Sequence, residues 1–420
     1  MTSRPTYQFR PASLPMVEEI DIMKSTSLVQ SRIESIDLLR GIVMIIMALD
    51  HVRLYFHFDS ILFSPTDLER TTPAIFATRL ITHLCAPTFI FLAGTSAYFI
   101  HQRKTLKETS IFLVTRGLWL ILLQFTIIRF GWNFDPAFHF NSSNILSTIG
   151  FAMITLAFLI HFRLRIILIT GLILVIGHNA LDKVTFESGS VWDVIWSFLH
   201  VRKLYLMDNE YSFQFLYPII PWVGVMALGY CFGRFYDHDY SVERRKKAIL
   251  QIGISSLFIF FLLRWVNIYG DPIPWVTQHN ISVTIMSFLN VEKYPPSLLY
   301  LCLTLGVSIV ALGILEGQNL RRWRPITVFG KVALFYYTAH IFVIHALALL
   351  VVVWMGFPWQ AMIFKGLVRP TSPLLMGKYG FSLGETYLIW VAIVLLLNPL
   401  CLYWNSFKIR NKLKWWVSYV

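Results

Sequence analysis

Asp50 and His51 are adjacent within an otherwise apolar run, and Arg53 lies within the same helical turn; Arg79 and His83 stand one turn apart in the next such run. His340 and His345 follow near the end of the chain. An imidazole titrates near neutrality and suits a general base, while arginine forks suit oxyanions. Ionisable groups inside apolar segments are costly in lipid, so they tend to face a bundle interior or a water-filled cavity. Each also has a plainer reading. Asp50 and Arg53 suit a structural ion pair, His340 and His345 can bond neighbouring carbonyls, and Arg53, Arg79 and above all Arg129 can reach out to lipid headgroups.

The composition decides what surrounds these groups. Of 420 residues 56% are hydrophobic and 14% charged, with a mean hydropathy of +0.60, which excludes an ordinary soluble enzyme. The net charge of +13 comes from short basic clusters between apolar runs rather than from one polar face, which argues against nucleic-acid binding. Cys85, Cys231, Cys302 and Cys401 each lie within an apolar run, with neither disulfide nor zinc spacing, and no metal site is expected. No phosphate-binding loop, nucleophile elbow or H-E-x-x-H motif occurs, and Asn141 and Asn280 are chance-level glycosylation matches.

Runs of roughly 20 apolar residues match about 30 Å of hydrocarbon. They fall near 37–57, 74–100, 109–130, 143–161, 164–181, 215–236, 247–267, 296–315, 329–354 and 384–405. The expected fold is therefore an all-α bundle of about ten transmembrane helices over 36–406. Residues 1–35 are expected to form a flexible cytoplasmic segment with no signal peptide, and 407–420 a basic cytoplasmic tail. Spans four and five are expected to pack as a tight hairpin around Arg163 and Arg165. Orientation follows from the basic residues. Segments assigned inside, including Arg103, Lys104 and Lys107, Arg244 to Lys247, and Arg321, Arg322 and Arg324, hold 21 Lys and Arg; those assigned outside hold 8, among them Lys293 and Arg369. Both termini are thus expected in the cytoplasm, with the long aromatic loops near 182–214, 268–295 and 355–383 outside. At about 1.5 Å per residue, Asp50, His51 and Arg53 lie roughly 20–24 Å beyond the inner end of their helix, and His83 is close to the depth of His51.

The run 32–42, R-I-E-S-I-D-L-L-R-G-I, followed by M-A-L-D-H-V-R at 47–53, resembles the heparan-α-glucosaminide N-acetyltransferase-like family. The stretches T-H-L-C-A-P-T-F-I-F-L-A-G at 82–94, Y-P-I-I-P-W-V-G at 217–224 and F-Y-Y-T-A-H at 335–340 resemble further signatures of that family. The resemblance implies a ten-helix acetyltransferase core that takes an acetyl group from cytosolic acetyl-CoA and passes it to an amino sugar on the opposite face. In the animal enzymes an Asn and a later His are implicated. Here His51 stands at the Asn position, and His57 or His83 is the candidate for the later His. A bacterial cytoplasmic (inner) membrane is the expected location.

This reading makes His51, Asp50 and His83 the catalytic candidates, with Asp50 receiving the His83 N–H because adjacent helix residues point about 100° apart. Arg53, Arg79 and His340 are assigned to substrate, and Arg40 and Arg116 to the phosphates of acetyl-CoA, the acyl donor. Membrane lipid, acetyl-CoA and a sugar or glycan acceptor are the expected partners, with no nucleic acid; homo-oligomerisation stays open. The rival reading is a proton-coupled transporter, which requires internal repeats and paired broken helices. A scaffold for other envelope proteins leaves the buried charges unexplained.

Overall fold

The computed structural model describes residues 33–207, 210–366 and 372–419, so the expected N-terminal segment lies outside the described residues up to residue 32, as does Arg369. Among the described residues eight helical stretches are long and apolar enough to cross a membrane: Pro73–His101, Leu106–Asn133, Leu164–Leu181, Ile219–Tyr236, Val242–Val266, Leu298–Leu315, Ala333–Trp354 and Leu383–Arg410. Helices at the two other expected positions, Glu34–Phe56 and Ile145–Leu159, bring the set to ten. Glu34–Phe56, named α1 here, carries five charged side chains yet is buried along most of its length, with Leu38, Ala48 and Val52 inaccessible. It is the axis around which the site forms. Val242–Val266 and Leu383–Arg410 instead expose Phe258, Trp265, Leu388 and Leu395, an apolar surface suited to lipid contact.

The second span is broken. It consists of α2, Pro73–Thr82, and α3, Cys85–His101. Pro87 lacks an N–H and its ring crowds the carbonyl four residues earlier, that of His83. The freed His83 carbonyl accepts a hydrogen bond from the Tyr300 hydroxyl at 2.8 Å. Pro218 and Pro221 cause no such break, since Pro218 precedes the helix Ile219–Phe232 and Pro221 lies in its first turn, where its missing N–H costs little.

The fourth and fifth spans do not pack as a hairpin. Ile145–Leu159 lies against Leu106–Leu123, whereas Leu164–Gly177 lies against Ile219–Phe232. Small residues decide this. A Cβ at Gly150 would come within 2.5 Å of the Gly117 carbonyl oxygen, and one at Gly224 within 3.0 Å of the Gly171 carbonyl oxygen. Such glycine pairs let backbones approach closely where no hydrophobic force separates one lipid-like partner from another.

The connections after α1, Asn133, Gly177, Val266 and Trp354 share one end, where the Phe381 N–H donates to the Phe56 carbonyl, the Phe364 N–H to the Asn133 carbonyl and the Asn290 amide to the Thr66 carbonyl, and His178 Nε2 lies 2.9 Å from the Pro296 carbonyl oxygen. That end carries a small sheet, in which β1 (Phe140–Ser143) pairs in parallel with β3 (Ser212–Phe215) and β3 pairs antiparallel with β2 (Lys203–Leu206). Asp50, His51, Arg79 and His83 lie toward the same end.

Candidate active site

His51 meets His340 across the bundle. The His51 Nδ1 to His340 Nε2 distance is 2.6 Å, and the rings are stacked with centroids 4.9 Å apart. His340 is inaccessible, and its Nδ1 lies 2.9 Å from the Tyr336 carbonyl oxygen. A carbonyl can only accept, so His340 donates from Nδ1 and its Nε2 must accept in the neutral ring. His51 therefore donates from Nδ1 and carries its lone pair on Nε2. Among the described residues no protein group engages that nitrogen, and His51 keeps part of its surface accessible. The Trp132 ring meets His51 edge-on at 4.6 Å, and Tyr336 stacks on the far side of His340 at 5.2 Å. The Tyr336 carbonyl, acting through His340, thus fixes one tautomer of His51, the form a general base requires.

His345, a five-residue step further, turns away as the helix period requires. Its nitrogens lie 2.9 Å from the Gly131 carbonyl oxygen and 2.7 Å from that of Met362, so it ties helix and loop together.

Asp50 makes different contacts from those expected of it. It does not receive the His83 N–H. Its two oxygens accept from Arg79 at 2.5 Å and from Arg53 at 3.2 Å. Both arginine side chains are largely buried, and two charged guanidinium donors outcompete a neutral imidazole N–H for this carboxylate. His83 packs its ring edge-on against Tyr300 at 5.4 Å. His57, the other candidate, caps the short turn Phe58–Ile61, its Nδ1 accepting from the Asp59 N–H.

Lys293 was counted in an outer loop, but the chain folds it inward to 9% exposure. Its ammonium lies 5.2 Å from the Tyr294 ring centroid, and its positive field reaches Asp50, His51 and His83. Burial raises the Tyr294 phenol, but Lys293, Arg79 and a hydrogen bond from Tyr217 outweigh it and bring it down to about 8. The only sequence signal for this arrangement is the Lys-Tyr-Pro-Pro run entering the helix Leu298–Leu315, where two prolines stiffen the approach. Trp132 was likewise missed, because a single aromatic in an apolar span looks like ordinary core.

At the opposite end of α1, Arg40 donates to Ser96 at 3.0 Å and pairs with Asp37 at 3.4 Å. Arg116 lies within its electrostatic reach, so the two form one positive patch. Arg129, expected to extend to headgroups, is instead 2% exposed between Phe138 and Phe140, because β1 and the loop before it fold over the helix end.

Of the positions joined here, α1 with its Asp50–His51 pair, α2 with Arg79 and α3 beyond the break fall within a match to a family model. No curated protein matches the chain. The family model describes the catalytic region of heparan-alpha-glucosaminide N-acetyltransferase and covers residues 32–264, more than half of the chain. Those matched helices carry Asp50, His51, Arg53, Arg79 and Trp132 on a membrane-spanning scaffold, while His340 and Lys293 lie beyond the match, and the chain belongs to the heparan-alpha-glucosaminide N-acetyltransferase family of transmembrane acetyltransferases.

Proposed function

We propose that the protein transfers an acetyl group from cytosolic acetyl-CoA to an amino or hydroxyl group of a sugar on the outer face of a bacterial cytoplasmic membrane. The observation that carries this reading is the tautomer-locked His51, whose Nε2 lone pair is available in a largely enclosed layer beside the buried cation Lys293. For an amine acceptor, His51 Nε2 takes a proton as the nitrogen attacks the thioester carbonyl carbon. Lys293 faces the oxyanion. The C–S bond then breaks, the thiolate of CoA takes the proton back from His51, and the products are an amide and free CoA. Asp50, Arg53 and Arg79 hold the frame, with Arg79 presenting its remaining N–H groups to the acceptor.

The test is thiol release from acetyl-CoA by purified protein in the presence of a panel of amino sugars. Acceptor-dependent release with acetylated product supports the reading. Transport of the intact sugar without thiol release would replace it with a proton-coupled carrier.

The orientation follows the excess of basic residues, 21 against 8, on the side that holds Arg40. A C-terminal reporter is expected in the cytoplasm, and an external reporter signal overturns the assignment. In this orientation Arg40 and Arg116 hold the phosphates of CoA, and the pantetheine arm reaches inward along α1 over about 16 Å to His51. Arg40→Leu and Arg116→Leu are each expected to weaken acetyl-CoA binding about tenfold or more, measured by titration in detergent. Unchanged affinity in both variants removes them from the donor site.

A further inference from the structure

Arg129 is a buried cation for which the mechanism above has no use. It is 2% exposed, and Nε, Nη1 and Nη2 all lack a hydrogen-bond partner. Phe138 and Phe140 hold its guanidinium at 5.9 and 5.3 Å from their ring centroids. Asp135, whose charge acts on it, is occupied elsewhere: it accepts from the His139 N–H at 2.8 Å and the Ala137 N–H at 3.2 Å, and pairs with the His139 ring at 2.9 Å. A guanidinium keeps its charge, and an unpaired buried charge is among the costliest features a fold can carry. The segment around it is irregular on both sides. A single π-helical stretch, Gln124–Ile128, leads into Arg129, and such bulges recur at functional sites. The loop that closes over it holds Phe134 and Phe138 in the left-handed region, at φ +46° and +56°, where bulky residues are strained. Arg129 precedes Trp132 by one turn, about 4.5 Å along the axis, and Trp132 touches His51.

We propose that Arg129 anchors an anion subsite beside the His51 layer, which takes a carboxylate or phosphate group when the Phe134–His139 loop lifts. The planar fork matches two oxygens of either group. The oxyanion comes from an acidic or phosphorylated sugar acceptor or from a lipid headgroup; the first source rests on the acceptor reading above.

Thermal unfolding of the full-length protein in detergent separates these outcomes without requiring transfer activity. Glucuronate and glucose 6-phosphate are compared with glucose, and phosphatidylglycerol with phosphatidylcholine. Wild type is expected to be stabilised by the anionic member of at least one comparison, the soluble pair marking an acceptor subsite and the lipid pair a headgroup site. In Arg129→Leu the anion response is expected to be lost while the ligand-free protein melts higher than wild type, because an unpaired charge has left an apolar pocket. Arg129→Lys, which keeps the charge but not the fork, is expected to bind about tenfold to a hundredfold more weakly and serves if the leucine variant fails to fold. His51→Ala is expected to keep the full anion response, so failure of the transfer chemistry leaves the subsite standing. Equal responses of wild type to charged and neutral probes in both comparisons, or an undiminished response in Arg129→Leu and Arg129→Lys, overturns the proposal.

Discussion

His51→Ala is expected to lower acetyl transfer by about 10²–10⁴-fold, the usual contribution of a general base, with acetyl-CoA affinity and folding retained. The size of the effect rests on His51 Nε2 being the proton acceptor, and its specificity rests on the chain of donors behind it. The Tyr336 carbonyl sets the tautomer of His340, and His340 sets that of His51. His340→Ala is therefore expected to lower turnover by less than His51→Ala, because the base survives but its proton is no longer placed by a partner. His83→Ala is expected to leave turnover near that of wild type, since its ring packs against Tyr300 and meets no carboxylate. Turnover per folded molecule is the quantity to measure in all three. An inactive His83 variant beside an active His51 variant exchanges the roles, and activity in both discards the histidine-base mechanism.

Asp50→Ala is expected to destabilise the protein by about 3–5 kcal/mol, the usual result of removing one partner from a buried ion pair. Arg53 and Arg79 both converge on this carboxylate, and the Arg53 Nε already lacks a partner, so neither guanidinium has another anion to turn to among the described residues. The Asp50 side chain keeps 20% of its surface accessible, which holds the loss toward the lower part of that range. The change is read as a lowered midpoint of thermal unfolding in detergent. A variant with Asp50→Leu, Arg53→Met and Arg79→Met together is expected to recover most of the loss, because it removes all three charges at once. If Asp50→Ala melts as wild type does but turns over slowly, the carboxylate acts in the chemistry and its framework role is wrong.

Much of this was written locally in the chain. Whether a run of about 20 residues crosses a bilayer depends on its own composition, which is why all ten helices lie where the apolar runs predict them. The Asp50–Arg53 pair needs only a three-residue step on one helix, and the break before Pro87 needs only a missing N–H and a crowded carbonyl. Signature runs in the first, second and sixth spans likewise sufficed for the family. The meeting of His51 with His340, 289 residues apart, depends instead on which helix faces touch, and in a bundle this apolar almost every face is equally hydrophobic. Close approach at glycine pairs selects the neighbours: Gly41 on α1 meets Gly330 just before the helix that carries His340, and neither glycine reveals its partner from its own segment. The inward turn of Lys293 and the enclosure of Arg129 belong to the loops and the three-stranded sheet, whose pairing joins segments some seventy residues apart. Tertiary structure therefore decided which of the legible charges share a site, because helix formation in lipid is a property of each segment whereas helix pairing is a property of two.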